Sequence, residues 1–199
     1  MLVFAKEKLV LLALPKTGTT AIEEALSARA DMALRNPAIL KHTPAYRYIR
    51  YLEPYLGKCG VSDLEVVCTV RHPIGWLGSW YRYRQRSAVD GKPQSTKGVS
   101  FDDFVNDYAK GDPTSWSHVG DPKKFVRDNE GELAVDHMFQ YEQLDKLVDF
   151  LEERLDFKIS LEKHNVSPVG DMTLSRQTEN KLMRKRPELY SDWEAARRS

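Results

Sequence analysis

Leu9-Val10-Leu11-Leu12-Ala13-Leu14 is the segment that most restricts what this chain can fold into. Six apolar residues in a row, with no polar alternation, read as a strand covered on both faces. A glycine-containing turn follows at once, Pro15-Lys16-Thr17-Gly18, and then a helical pattern. Thr19 is its candidate N-cap, Ile22, Ala25 and Leu26 share one face, and Glu23 and Glu24 lie near the positive end. A strand buried on both faces needs helices above and below it.

The rest of the chain repeats that alternation. A short strand is expected around Ala38 to His42, and a second buried strand from Leu64 to Val70. The latter runs into Arg71-His72-Pro73, where Pro73 suits the first turn of a helix from Ile74 to Arg86. Ser87 to Ser100 holds two Gly, one Pro and several hydroxyl residues and reads as a mobile loop, a lid or a disordered stretch. Phe101 to Lys110 reads as a helix ended by Gly111, and Val135 to Tyr141 as a strand. Leu144, Leu147, Val148, Leu151 and Leu155 fall on one helical stripe, and a last helix spans about Leu174 to Trp193, interrupted at Pro187. Buried strands separated by helices predict an α/β fold with a central, mostly parallel sheet and flanking helices, as one domain over residues 1–199.

Composition closes off other classes. With 30 Lys+Arg against 29 Asp+Glu, the chain has no cationic excess to bind nucleic acid or a membrane surface. No apolar run approaches a membrane span or a signal peptide, so a cytoplasmic location is expected. Cys59 and Cys68 form neither a disulfide framework nor a metal-ligand spacing, and no metal site is expected.

Two segments carry chemistry, and both fall at the carboxyl ends of predicted strands, where α/β sheets bind ligands. Lys16, Thr17, Gly18, Thr19 and Thr20 combine free backbone N–H groups, a glycine, hydroxyls and one cation, which together make an anion site. The bland alternative is a tight turn with an exposed lysine and a threonine cap. The loop is not a Walker A motif, because Lys16 precedes Gly18, and Thr69-Val70-Arg71 offers no Asp for Mg²⁺. In the second segment, Arg71 at a strand end and Ser79 about 8 Å up the next helix could converge on one phosphate, with a surface ion pair as the alternative. Two anion sites at adjacent strand ends fit a nucleotide with phosphates at both ends. Arg82, Arg84 and Arg86 read as a solvated helix face or an acidic-acceptor patch, and the four tryptophans as core or acceptor wall.

Together these segments resemble the sulfotransferases that use 3′-phosphoadenosine 5′-phosphosulfate (PAPS). Pro15-Lys16-Thr17-Gly18-Thr19-Thr20 looks like the family's 5′-phosphosulfate loop, and Arg71-x-Pro73 with Ser79 and Tyr81 like its 3′-phosphate motif. Tyr141-Glu142-Gln143-Leu144 and His164-Asn165-Val166-Ser167-Pro168 resemble two later segments. The motif style is nearest the carbohydrate (Golgi-type) enzymes, without their membrane anchor. The resemblance implies a three-layer, P-loop-like sulfotransferase fold. It also implies metal-independent transfer from PAPS to a hydroxyl or amine of a small-molecule or carbohydrate acceptor. Lys16 would stabilise the leaving phosphate, and Tyr141 joins the donor-binding residues. His42 is the candidate general base, with an exposed or capping histidine as its alternative, while His72, His118, His137 and His164 are read as structural. An ATP-dependent small-molecule kinase and a non-catalytic nucleotide-binding module are the competing readings.

Overall fold

In the computed structural model, which describes residues 1–161 and 171–196, the Leu9–Leu14 run enters the middle of a five-stranded sheet. The strands are β1 (Leu2–Phe4), β2 (Leu9–Leu11), β3 (Met32–Ala33), β4 (Glu65–Val70) and β5 (His137–Gln140). Their order is β3-β1-β2-β4-β5. β2, β4 and β5 run parallel, with Leu11 opposite Val67 and Val70 opposite Gln140. β1 is antiparallel to both β2 and β3. The sheet is therefore mixed, where a mostly parallel one was expected. The cause is the β1–β2 hairpin, turned by Ala5 to Lys8 with Lys8 in the left-handed region at φ 53°. A three-residue strand at the chain start carries too short a pattern to read from sequence.

Pleat alternation divides the apolar side chains between the two sheet faces. Val10, Leu12, Val66, Cys68, Val70 and Met138 face one layer, built from α3 (Ala45–Arg47), a π-helical turn (Tyr48–Leu52), α4 (Glu53–Lys58) and α7 (Lys123–Val126). Leu9, Leu11, Val67 and Phe139 face α1 (Thr19–Leu26) and α8 (Leu144–Leu155). Leu147, Leu151 and Leu155 form the buried stripe of α8, as their spacing predicts.

The strand expected around Ala38 to His42 is instead a short helix, α2 (Ala38–Lys41), with Pro37 as N-cap and His42 as C-cap. Ala, Leu and Lys are good helix formers, and the edge of the sheet is already taken by β3.

The described residues gather into two compact units. The sheet unit holds residues 1–71, 122–161 and 193–196. The second, helical unit holds residues 72–121 and 171–192. It contains α5 (Pro73–Tyr83), α6 (Phe101–Tyr108), α9 (Arg176–Lys185) and most of α10 (Pro187–Ala195). α9 and α10 break at Pro187, as expected. Trp76, Leu77, Tyr81, Phe101, Phe104 and Leu182 make its core. Asp107 is buried there, accepting hydrogen bonds from Lys110 at 2.6 Å, Thr114 N at 2.8 Å, Thr114 Oγ1 at 2.6 Å and Ser117 Oγ at 2.6 Å. In the Ser87 to Ser100 stretch, Thr96 is buried and donates its hydroxyl to Tyr81 O at 2.8 Å, while Tyr81 donates to Val99 O at 2.8 Å.

Candidate functional site

The carboxyl ends of β2, β4 and β5 deliver Leu14-Pro15-Lys16, Arg71 and Tyr141 side by side. Past β2 the chain keeps pairing for one residue, with Leu12 N donating to Val67 O at 2.8 Å. It then turns sharply. Lys16 and Gly18 both adopt left-handed backbone, φ 71° and φ 74°, on either side of a fully buried Thr17 whose hydroxyl donates to Leu14 O at 2.8 Å. Gly18, not the expected Thr19, is the N-cap of α1, and Thr19 is its buried first residue. The first N–H groups of α1 thus follow a loop whose two left-handed residues turn the backbone back on itself, an arrangement that can present backbone donors to an anion.

Arg71 closes this loop from the next strand. Its Nη1 donates to Lys16 O at 3.2 Å, and its guanidinium carbon lies 4.2 Å from the centroid of the Tyr141 ring. A Cβ on Gly18 would stand 3.1 Å from Tyr141 Cε2. Tyr141 is therefore in contact with both segments: its ring edge fits against Gly18 and its face carries Arg71. Ser79 is buried on α5 in the helical unit. The segment from His164 to Pro168 lies outside the described residues.

His42 arrives by a different route from the one expected. It ends a helix, not a strand, yet its Nδ1 is 2.7 Å from Ala13 O, at the entrance to the loop. A carbonyl only accepts, so Nδ1 carries the proton and Nε2 keeps the lone pair in the neutral ring. Burial pushes the imidazole pKa below its ordinary 6.5, and the Lys41 ammonium and the Met1 amino group push the same way. The Ala13 hydrogen bond and Glu23 oppose them without cancelling the shift. At neutral pH the ring is neutral and able to take a proton at Nε2.

Behind the loop lies a charge cluster that sequence reading missed. Lys41 Nζ is 2.6 Å from Glu23 Oε2 and donates to Thr20 Oγ1 at 3.3 Å. Glu23 is almost wholly buried and also accepts from the Met1 amino group at 3.1 Å. The signal was present: Glu23 sits on the helix between Ile22 and Leu26, and a carboxylate beside a buried face requires a cation.

Two of the histidines read as structural, His137 and His72, have partners of that kind. His137 Nε2 is 2.6 Å from Glu65 Oε2, and His72 packs edge-on against Tyr190. Arg84 is engaged inside its own unit, donating to Ser115 O at 2.9 Å and His118 O at 2.8 Å and lying over Trp80. Arg86 lies over Tyr83. Trp76 is core, Trp116 packs on Phe104, and Trp193 Nε1 donates to Glu142 Oε2 at 3.0 Å.

Comparison with known protein families, with curated proteins and with solved structures returned no match. Among the described residues no helix is long and apolar enough to cross a membrane.

Proposed function

We propose that the chain is a sulfotransferase that moves the sulfuryl group of PAPS to a hydroxyl or amine acceptor, on a P-loop-like sulfotransferase version of the α/β fold. One observation carries this reading. The Lys16 loop and Arg71, 55 residues apart in sequence, are joined by a hydrogen bond and share Tyr141 as a platform. Two anion grips on one platform suit a ligand with two separated anionic groups. A nucleoside bisphosphate carrying sulfate on one phosphate is such a ligand. The left-handed backbone at Lys16 and Gly18 and the lack of a Cβ at Gly18 fit close approach of a phosphosulfate.

In the proposed step an acceptor O–H or N–H attacks sulfur in line. The bond from sulfur to the bridging oxygen breaks, and adenosine 3′,5′-bisphosphate leaves with the electron pair. Lys16 and the first N–H groups of α1 stabilise the charge growing on that oxygen. His42 Nε2 takes the acceptor proton. The acceptor class is a small molecule or a carbohydrate.

The test is calorimetric titration with adenosine 3′,5′-bisphosphate in EDTA, against ATP with Mg²⁺, followed by PAPS turnover on an acceptor panel. Bisphosphate binding in EDTA with turnover is expected. Binding of ATP·Mg²⁺ alone would replace the proposal with a kinase. Bisphosphate binding without turnover on any acceptor would replace it with a nucleotide-binding module.

A further inference from the structure

The Lys41 cluster lies beside the candidate base but has no part in the chemistry proposed above. Lys41 is the last residue of α2 and His42 its C-cap, so the two side chains leave one short, stiff segment. That segment is tied down at four points. Lys41 Nζ bonds Glu23 and Thr20, both on the first turns of α1, and His42 Nδ1 bonds Ala13 O at the end of the β2 run. The fourth tie is Lys41 O, which accepts from the Met1 amino group at 3.1 Å, and within the segment Thr43 Oγ1 donates to Leu40 O at 2.7 Å. The Lys41–Glu23 pair is the ion pair among these ties. The Glu23 side chain is 4% exposed and the Lys41 side chain 18%, so water screens the pair weakly. A buried carboxylate that lost this cation would relax toward other partners, and the segment would move with it.

We propose that Lys41 is a positioning residue. Its ammonium, held between Glu23 and Thr20, locks residues 40–43 against the start of α1 and thereby fixes the His42 ring, Nδ1–H toward Ala13 O and Nε2 unprotonated, beside the anion loop. The functional weight of this lock rests on His42 acting as the base, but the lock itself does not depend on any nucleotide. Three charged groups act on His42: Lys41, Glu23 and the Met1 amino group. Removing the Lys41 charge leaves Glu23 less compensated, which favours the protonated ring.

The test is ¹⁵N NMR of the His42 ring in the ligand-free full chain, as wild type, Lys41→Met, Lys41→Gln and Lys41→Arg. Wild type should show a single Nδ1–H tautomer and a titration midpoint below that of an unperturbed histidine. Lys41→Met and Lys41→Gln should both raise the midpoint and populate the Nε2–H tautomer, and Lys41→Arg should restore the wild-type spectrum. Lys41→Gln, which keeps a hydrogen-bonding group, carries the test if Lys41→Met does not fold. A folded neutral variant that keeps the single Nδ1–H tautomer overturns the proposal, because loss of the Lys41 charge raises the midpoint by itself, whereas only a ring released from Ala13 O changes tautomer. Titrating the wild type with adenosine 3′,5′-bisphosphate separates the two claims. Failure of the wild type to bind defeats the sulfotransferase reading and leaves the ring result standing.

Discussion

Gly18→Ala isolates the contact that joins the two anion motifs. Two costs add at this position. The φ of 74° is one that an L side chain adopts at about 1–2 kcal/mol, partly offset by the ~0.4–1 kcal/mol that Ala removes from unfolded-chain entropy. The new methyl would also stand 3.1 Å from Tyr141 Cε2 and 3.6 Å from Leu144 Cδ2. The ring is covered by Arg71 at 4.2 Å, so it yields only by disturbing that stack, and overpacking of this kind costs about 1–3 kcal/mol. The net loss should be about 1.5–4 kcal/mol.

Gly60 supplies the control. Its φ is 81° and nothing lies within 4 Å of its virtual Cβ, so Gly60→Ala bears only the backbone term, about 0.5–1 kcal/mol. Urea unfolding followed by circular dichroism measures both losses. The Tyr141→Ala background should then recover the steric part of the Gly18→Ala cost, giving a coupling above ~1 kcal/mol in a double-mutant cycle. If Gly18→Ala costs no more than Gly60→Ala, or the cycle closes to zero, Tyr141 is not packed on the loop as described and the shared platform fails.

Four further outcomes follow from named contacts. Lys16→Gly relieves a left-handed lysine, so unfolding free energy should hold or rise by up to about 1 kcal/mol while PAPS turnover is lost, a pairing read by urea melts and rate assays on one preparation. Arg71→Lys keeps the charge but loses the fork and the stack on Tyr141; affinity for adenosine 3′,5′-bisphosphate should fall by about 1.5–3 kcal/mol, more than for adenosine 5′-phosphosulfate, and equal losses would make Arg71 purely structural. Asp107→Ala strands the hydroxyls and the amide it gathers, and should cost about 2–3 kcal/mol in urea melts, limited because Lys110 is half exposed. Glu65 is drawn down to about 2 by hydrogen bonds first from Arg154 and then from His137, so its contribution is complete above its ordinary 4.5 and lost as pH falls from there through about 2; the gap between wild type and Glu65→Gln in urea melts should therefore shrink from pH 6 to pH 3.

The parallel centre of the sheet was legible because Leu9–Leu14 is an unbroken apolar run and Leu64–Val70 is apolar but for Glu65 and Thr69, the pattern of strands covered on both faces. β1 and β3 were not, since three and two residues carry no periodicity; the Ala5–Lys8 hairpin sets the pairing of β1 with β2, and β3 adds to the far side of β1 after 27 intervening residues. Ala38–His42 misled for a related reason. Ile39 and Leu40 resemble the centre of a strand, but they are exposed, at 63% and 44%, on a helix that only Pro37 and its neighbours specify.

The same contrast holds at the site. Lys16, Gly18 and Arg71 were legible because a glycine turn after a buried strand, and an arginine before a proline at a helix start, are local patterns whose place in the fold follows from the strands themselves. Tyr141 joins them in the sequence only through the resemblance; the physical tie is strand order, which brings β5 beside β4 and so sets an aromatic ring next to a guanidinium. The Lys41–Glu23 pair lies beyond both kinds of reasoning, because α2 and α1 are joined by 11 residues that fix no relation between them. What sequence does offer there is a chemical debt. Glu23 flanks an apolar stripe, and a carboxylate removed from water must find a cation or lose its charge. Searching for that cation among residues of unknown position leaves several lysines and arginines. The fold selects Lys41, and in doing so brings its neighbour His42 to Ala13 O and the anion loop, although the strand expected to carry it does not exist.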